Sequence, residues 1–169
     1  MSNDLYQASV PQFLRMLGNL KAILEKGAAH AAARKIEESA LLDARLFPDM
    51  FPLMVQVRIA SDFARGTTAR LSGAEPPPVE DNEKSFAELV ARVDAAMGYV
   101  RGLSAAKFEG AEKREVKRKI RGVERTFSGS DYLYQFALPN FYFHLTTAYA
   151  ILRHNGVEVG KTDFLGTFG

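Results

Sequence analysis

Apolar residues recur every three or four positions along four long stretches of the chain, which is the spacing of helices with one buried face. These stretches cover roughly residues 4–26, 51–71, 85–103 and 131–155. Gly27 and Gly73 follow the first two stretches, where glycine commonly ends a helix. The alanine-rich residues 28–33 are then expected to form a turn or a frayed end. Four amphipathic helices of this length bury their stripes most economically as a four-helix bundle.

Shorter segments connect these stretches. Residues 36–46 predict a short helix that Pro48 ends, and the consecutive prolines at 76–78 predict a stiff connector, because they favour the polyproline II conformation. Within residues 112–128, apolar and basic positions alternate and Gly122 offers a turn, which favours an extended segment or a short hairpin. The predicted fold class is therefore all-α: a four-helix bundle with a short extra helix and an irregular or hairpin insertion near 107–129.

Polar residues mark where two of the helices begin. Ser85, followed three residues later by Glu88, forms a capping-box pattern before the third long stripe. Ser130 or Asp131 is expected to cap the last long helix, which Pro139 either kinks or restarts. The chain beyond Gly156 is expected to be a short tail that is ordered only if it docks on the bundle. All 169 residues fit one domain.

Composition and charge narrow the function classes. The chain has no cysteine and a formal net charge of +2, and it shows no secretory signal or apolar run long enough to span a bilayer, so we expect a cytoplasmic protein without membrane partners. Residues 113–125 contain seven Lys or Arg against two Glu. This basic segment has no groove-reading element, so we expect a solvated basic edge rather than specific nucleic-acid binding.

Polar residues on otherwise apolar helix faces give the candidate site. Asn140 and His144 are four residues apart on the last long helix, so both side chains point from one face. Gln56 lies close to the apolar stripe of the second long helix, where a buried amide needs hydrogen-bonding partners. Two interpretations remain open: the three residues hydrogen-bond to one another inside the core, or they line a pocket for a ligand or a divalent metal.

Two runs of sequence carry a family resemblance. LPNFYFHLTTAYAILRHNGVEVGKTDFLG (Leu138–Gly166) and DARLFPDMFPLMVQVRIASDFARG (Asp43–Gly66) resemble an uncharacterised bacterial domain-of-unknown-function family within the DinB/YfiT-like bundle superfamily. The resemblance covers nearly the whole chain. It implies a four-helix bundle, often dimeric, with a three-histidine metal site that serves thiol transfer in some members. Those histidine positions correspond to Asn140, His144 and a position at or near Gln56, so one of the three ligands is kept.

These observations favour a small-molecule-binding bundle with a degenerate metal site, a pocket around Gln56, Asn140 and His144, no bound metal or other cofactor, and a homodimeric state. The sequence carries no catalytic signature and does not decide between an enzyme and a binding protein. A metal-dependent thiol transferase with unusual ligands is the first alternative. A regulator that binds nucleic acid through the basic segment is the second.

Overall fold

Helices make up most of the computed structural model, which describes residues 4–167 of the chain. Seven segments are α-helical: α1 (Asp4–Arg34), α2 (Glu38–Leu42), α3 (Leu53–Leu71), α4 (Phe86–Arg101), α5 (Gly129–Asp131), α6 (Leu138–His154) and α7 (Lys161–Leu165). A π-helical segment, Tyr132–Ala137, joins α5 to α6. Two short 3-10 turns, Ala105–Phe108 and Ala111–Lys113, precede an antiparallel hairpin of β1 (Val116–Ile120) and β2 (Val123–Phe127).

Four long helices pack around one core, which confirms the predicted four-helix bundle. Helix α1 packs against α4, and α3 packs against both α4 and α6. The rings of Phe13 on α1 and Phe141 on α6 meet edge to face across the core, with centroids 4.8 Å apart. Each fully buried Leu or Phe side chain contributes about 1.5–3 kcal/mol relative to an exposed one, so these stripes supply the main stabilisation. None of the helices in residues 4–167 combines the length and apolar composition of a membrane span.

The expectation that Gly27 ends the first helix is wrong. Helix α1 continues through the alanine-rich residues 28–33, which are strong helix formers, and ends at Arg34. The Phe86 ring lies 3.0 Å from the position that a Cβ of residue 27 would occupy, so glycine here allows α4 to approach closely. Lys35, directly after the helix, has a φ of 54°, and the Ile36 amide donates to the Ala31 carbonyl oxygen in a Schellman-type closure.

Helices α3 and α4 begin and end as predicted to within two residues. Gly73 has a φ of 82° just after α3, the left-handed conformation that commonly follows a helix. The Ser85 Oγ accepts a hydrogen bond from the Glu88 amide at 3.1 Å, which satisfies one free donor of the first turn of α4. Between them, residues 74–84 form the connector, without regular secondary structure.

The basic segment forms the predicted hairpin. Ile120 pairs with Val123, and the intervening Arg121 and Gly122 both have positive φ, 49° and 82°, as in the two-residue turns that match the twist of paired strands. Only residues 116–120 and 123–127 of the predicted range 112–128 are strands. Along β1, exposed lysines alternate with less exposed residues, a pattern with a period of two that a helix cannot bury on one face.

The cap predicted at Ser130 or Asp131 is wrong by two residues or more. Ser128 is the N-cap, and its Oγ accepts a hydrogen bond from the Asp131 amide at 3.1 Å. Gly129 is required at the next position because a Cβ there would lie 1.8 Å from the Ala111 carbonyl oxygen. Pro139 lacks an amide hydrogen and falls in the first turn of α6, directly after the π-helical segment, where the helical ladder is already rearranged.

The segment after Gly156 docks on α1, as expected. Val157 and Val159 are buried, and α7 packs against α1. The Asn19 side-chain amide donates to the Phe164 carbonyl oxygen at 2.9 Å, and Lys26 pairs with Asp163 at 2.7 Å. These contacts attach the tail to the outer face of α1.

Candidate functional site

Gln56 and His144 are in direct contact across the interface between α3 and α6. The Gln56 Oε1 lies 2.7 Å from the His144 Nδ1, although 88 residues separate them in sequence. Gln56 is only 1% exposed, whereas His144 is partly buried. The helix periodicity therefore identified two side chains that meet in the fold.

The hydrogen-bonding partners of Gln56 determine which ring nitrogen of His144 carries the hydrogen. The Gln56 Nε2 donates to the Phe51 carbonyl oxygen at 3.0 Å, so its Oε1 faces His144 and accepts a hydrogen. Because a carbonyl oxygen only accepts, the His144 Nδ1 carries the hydrogen, and the neutral ring keeps its lone pair at Nε2. No partner for Nε2 occurs among the described residues. The site therefore presents one oriented nitrogen acceptor.

Asn140 lies one turn before His144 but is not hydrogen-bonded to either member of the pair. Its Nδ2 donates to the Phe136 carbonyl oxygen at 2.7 Å, within the same continuous helix. Asn140 is partly buried. Its side-chain nitrogen therefore already has a backbone acceptor in the preceding turn of the same helix.

This donor set does not fit a three-ligand metal centre. Zinc favours imidazole, thiolate and carboxylate ligands, three or four at a time. His144 supplies one imidazole nitrogen, while Gln56 and Asn140 supply amides that already serve other partners. Within residues 4–167, no group of three His, Cys, Asp or Glu side chains is arranged to hold a metal ion.

Two aromatic rings contact the His144 imidazole. The Phe63 ring is stacked on the His144 imidazole with centroids 6.2 Å apart, and the Phe143 ring meets it edge-on at 5.1 Å. Burial lowers the pKa of His144 below its ordinary value of 6.5, because an apolar surrounding disfavours the charged imidazolium. The imidazole is therefore neutral at pH 7 and accepts hydrogen bonds.

A second polar cluster, which the sequence analysis missed, lies on the opposite side of α3. Arg92 on α4 is 7% exposed and Glu83 in the connector is 8% exposed, and they pair at 2.7 Å. Arg92 also donates to both carboxylate oxygens of Asp62, and Arg58 donates to Glu83 at 2.6 Å. The signal was available: Arg92 interrupts the apolar stripe of α4, three residues after Leu89 and four before Ala96.

Electrostatics favour the charged forms in this cluster. Burial alone would raise the pKa of Glu83, but hydrogen bonds from Arg92 and Arg58 outweigh that effect and lower it below its usual 4.5. Beside the cluster, the connector covers a cavity of about 520 Å³ between α3 and α4, with Val79, Ala95 and Tyr99 in its wall. The cluster thus anchors the connector over this cavity.

Acidification should destabilise the protein through His144. Its pKa is lower in the folded state than the ordinary value expected after unfolding, so between the two values the unfolded chain binds more protons and the free energy of unfolding falls as pH decreases. Urea midpoints measured at about pH 7.5 and about pH 5 should fall further for the native protein than for His144→Gln. An equal fall in both proteins would contradict the buried neutral imidazole. Glu83 contributes mainly below this window and equally to both.

Comparisons with known proteins agree with the fold. A family profile described as "Domain of unknown function (DUF1993)" matches residues 5–165. A crystal structure of a DinB family member protein from Shewanella denitrificans is 43% identical, covers 97% of this chain and 93% of its own, and superposes with a TM-score of 0.91. No protein with a curated description matches significantly. The chain belongs to the DUF1993 domain-of-unknown-function family, within the DinB-like superfamily.

Proposed function

We propose that this protein binds a small molecule through the His144 imidazole, with Gln56 as the residue that orients the ring. The observation that carries the proposal is the 2.7 Å contact between Gln56 Oε1 and His144 Nδ1. It holds the ring in one tautomer and leaves Nε2 as a preorganised acceptor, so the cost of orienting the ring is met before a ligand arrives. A partly buried, neutral imidazole favours a ligand that presents an N–H or O–H donor.

The aromatic surroundings support a ligand with an apolar body. Phe63 and Phe143 flank the imidazole, and pockets for small molecules combine such apolar walls with a few placed polar groups. We assign binding and no reaction, because the pair offers one acceptor without a second ionisable group to share proton transfer. We propose that Asn140, one turn before His144 on the same helix, also lines this pocket.

The alternatives have less support. A metal-dependent thiol transferase needs further ligands beside His144, and we propose that the native chain holds no divalent metal there. Nucleic-acid binding would use the hairpin, where Glu115 lies 3.3 Å from Lys117 and Glu124 is directly opposite Lys119. These acidic neighbours reduce the positive potential that non-specific binding requires.

We also propose that the protein is a cytoplasmic homodimer. Phe47, Phe51 and Phe143 are 64%, 55% and 56% exposed. The Phe51 carbonyl oxygen accepts a hydrogen bond from Gln56, and the Phe143 ring meets the His144 imidazole edge-on. Exposed clusters of large apolar side chains are typical of surfaces that bind another protein. A second copy covering these rings would also shield the mouth of the ligand site from water.

Recovery of a small molecule that co-purifies with the protein tests the proposed function. Small molecules released by denaturing the purified native protein should include a compound that is depleted at least about tenfold in His144→Gln, because loss of one hydrogen bond in a desolvated site costs about 1.5 kcal/mol or more. Mass spectrometry of the released fraction measures this depletion. The matched control is His154→Gln, which alters an exposed histidine of the same helix and should retain the compound. Equal amounts in all three proteins would overturn the proposal.

A zinc titration tests whether the three predicted residues share one pocket. The native protein should bind zinc weakly, whereas the double change Gln56→His and Asn140→His should bind it at least about 1,000-fold more tightly, because three imidazoles with one open position form a favourable zinc site. Gln56→His combined with Thr146→His is the control, since Thr146 is exposed on another face of α6. If the folded double variant binds zinc no more tightly than the native protein, Asn140 does not share a pocket with Gln56 and His144. Tight zinc binding by the native protein would instead support the metal-dependent transferase.

Light scattering tests the dimer. The native protein should show twice the monomer mass of 18.7 kDa at micromolar concentrations. Phe143→Glu should shift it toward the monomer because a carboxylate would be desolvated in the interface, whereas Val123→Glu, at an exposed apolar position on the hairpin, should not. A monomeric mass for the native protein, or equal effects of the two substitutions, would contradict this interface.

A further inference from the structure

One basic residue of the hairpin faces the bundle. Along β1, Val116, Arg118 and Ile120 are less exposed than Lys117 and Lys119, so the Arg118 side chain shares the inner face of the hairpin with two apolar residues. Its Nε is buried, and within residues 4–167 Arg118 has neither an ion pair nor a side-chain hydrogen bond. A buried guanidinium donor without a partner is costly, so this position calls for an acceptor.

The strand register adds a second unpaired charge. Arg118 is directly opposite Arg125, whereas on the other hairpin face Lys119 is opposite Glu124. Like charges in directly opposed positions destabilise a strand pair. An anion bound beside Arg118 would reduce that repulsion by neutralising one of the two opposed charges.

A cavity lies against this arginine. It has a volume of about 210 Å³ and lies between α3, the hairpin and the π-helical segment, lined by Ile59, Asp62, Phe63, Arg70, Arg118 and Tyr132. A cavity of about 150 Å³ is large enough to hold benzene, so this one accommodates a single ring or a short aliphatic group with a charged substituent. Phe63 and Tyr132 provide its aromatic surfaces.

The carboxylate of Asp62 does not neutralise Arg118. Both of its oxygens accept hydrogen bonds from Arg92, at 3.0 and 3.1 Å, and Arg65 donates to one of them at 3.2 Å. Arg70 donates to the Gly66 carbonyl oxygen and lies 3.8 Å from Glu75, whose side chain is 87% exposed. The cavity therefore has two arginines in its wall and one carboxylate that other arginines already neutralise.

We propose that this cavity binds the carboxylate of a small organic acid, with the Arg118 guanidinium as its principal partner and the apolar body of the acid against Phe63 and Tyr132. A guanidinium donates two parallel hydrogen bonds to a carboxylate, a match of geometry as well as charge. The aromatic surfaces of Phe63 and Tyr132 favour an acid with an apolar body over inorganic phosphate, which has no apolar part to bury there. The hairpin thus positions the Arg118 side chain against the helical bundle.

The cavity at Arg118 is distinct from the ligand site proposed at His144. It needs neither the tautomer of His144 nor its Nε2, and the two sites share only Phe63, whose ring stacks on the imidazole and also lines the cavity. Loss of the acid site would therefore leave the Gln56–His144 contact intact.

An NMR titration of the nitrogen-15-labelled full chain tests the proposal. Benzoate supplies the carboxylate and the ring, benzyl alcohol supplies the ring without charge, and inorganic phosphate supplies charge without the ring. The Arg118 side-chain Nε–H signal, identified by its absence in Arg118→Gln, should shift on addition of benzoate and saturate. Benzyl alcohol and phosphate should each bind at least about tenfold more weakly, since each lacks one of the two interactions.

Matched substitutions separate this site from general positive charge. Arg118→Gln should weaken benzoate binding at least about tenfold, whereas Arg121→Gln, which removes the same charge from the exposed hairpin turn, should change it less than about twofold. Amide spectra of both variants establish that they are folded. Equal weakening by the two substitutions, tighter binding of phosphate than of benzoate, or an unshifted Arg118 signal at saturating benzoate would each overturn the proposal.

Discussion

The buried charge of Arg92 is the constraint on which the arrangement of α3, α4 and their connector depends. A guanidinium inside a helix interface is tolerated only when carboxylates and carbonyls surround it. Glu83 and the Glu80 carbonyl oxygen come from the connector, and Asp62 comes from α3, so the chain must return across the groove between the two helices to supply them. Removing one partner from such a group typically costs about 3–5 kcal/mol, which makes the connector a structural part of the bundle.

Helix α3 carries residues of the Arg92 cluster as well as residues of the His144 site and of the small cavity at Arg118. Asp62, which faces Arg92, is next to Phe63, which faces His144 and the small cavity. Arg58, which holds Glu83, is two residues from Gln56, which holds His144. The polar groups on one side of the helix therefore fix its rotation, and that rotation presents Gln56 and Phe63 to α6. The ligand site proposed at His144 depends on a cluster that it does not touch.

The spacing of apolar and polar residues predicted the parts of the fold that depend only on which face of a helix or strand a residue occupies. The four long stripes, the hairpin at Gly122 and the meeting of Gln56 with His144 all follow from spacing. The failures involve a partner distant in sequence. Gly27 lies inside α1, where its missing Cβ admits the Phe86 ring of α4, and Gly129, which follows the Ser128 cap, lies against the Ala111 carbonyl oxygen. Arg92 was missed because only Glu83 and Asp62, brought close by folding, make a buried arginine acceptable.

The π-helical segment Tyr132–Ala137 lies between α5 and α6 and changes the direction in which side chains on either side of it point around the helix axis. Tyr132, Phe136, Asn140 and His144 recur every four residues, and in a helix of 3.6 residues per turn each such step rotates the side chain by about 40° around the axis. Three steps would turn His144 by about 120° from Tyr132, away from a common partner. The wider π turns hold more residues each and rotate less per residue, which offsets that drift. Tyr132 and Phe136, both within this segment, consequently keep their rings nearly parallel with centroids 6.0 Å apart, so the extra residue in these turns works as an angular spacer that directs both rings to the same side of the helix.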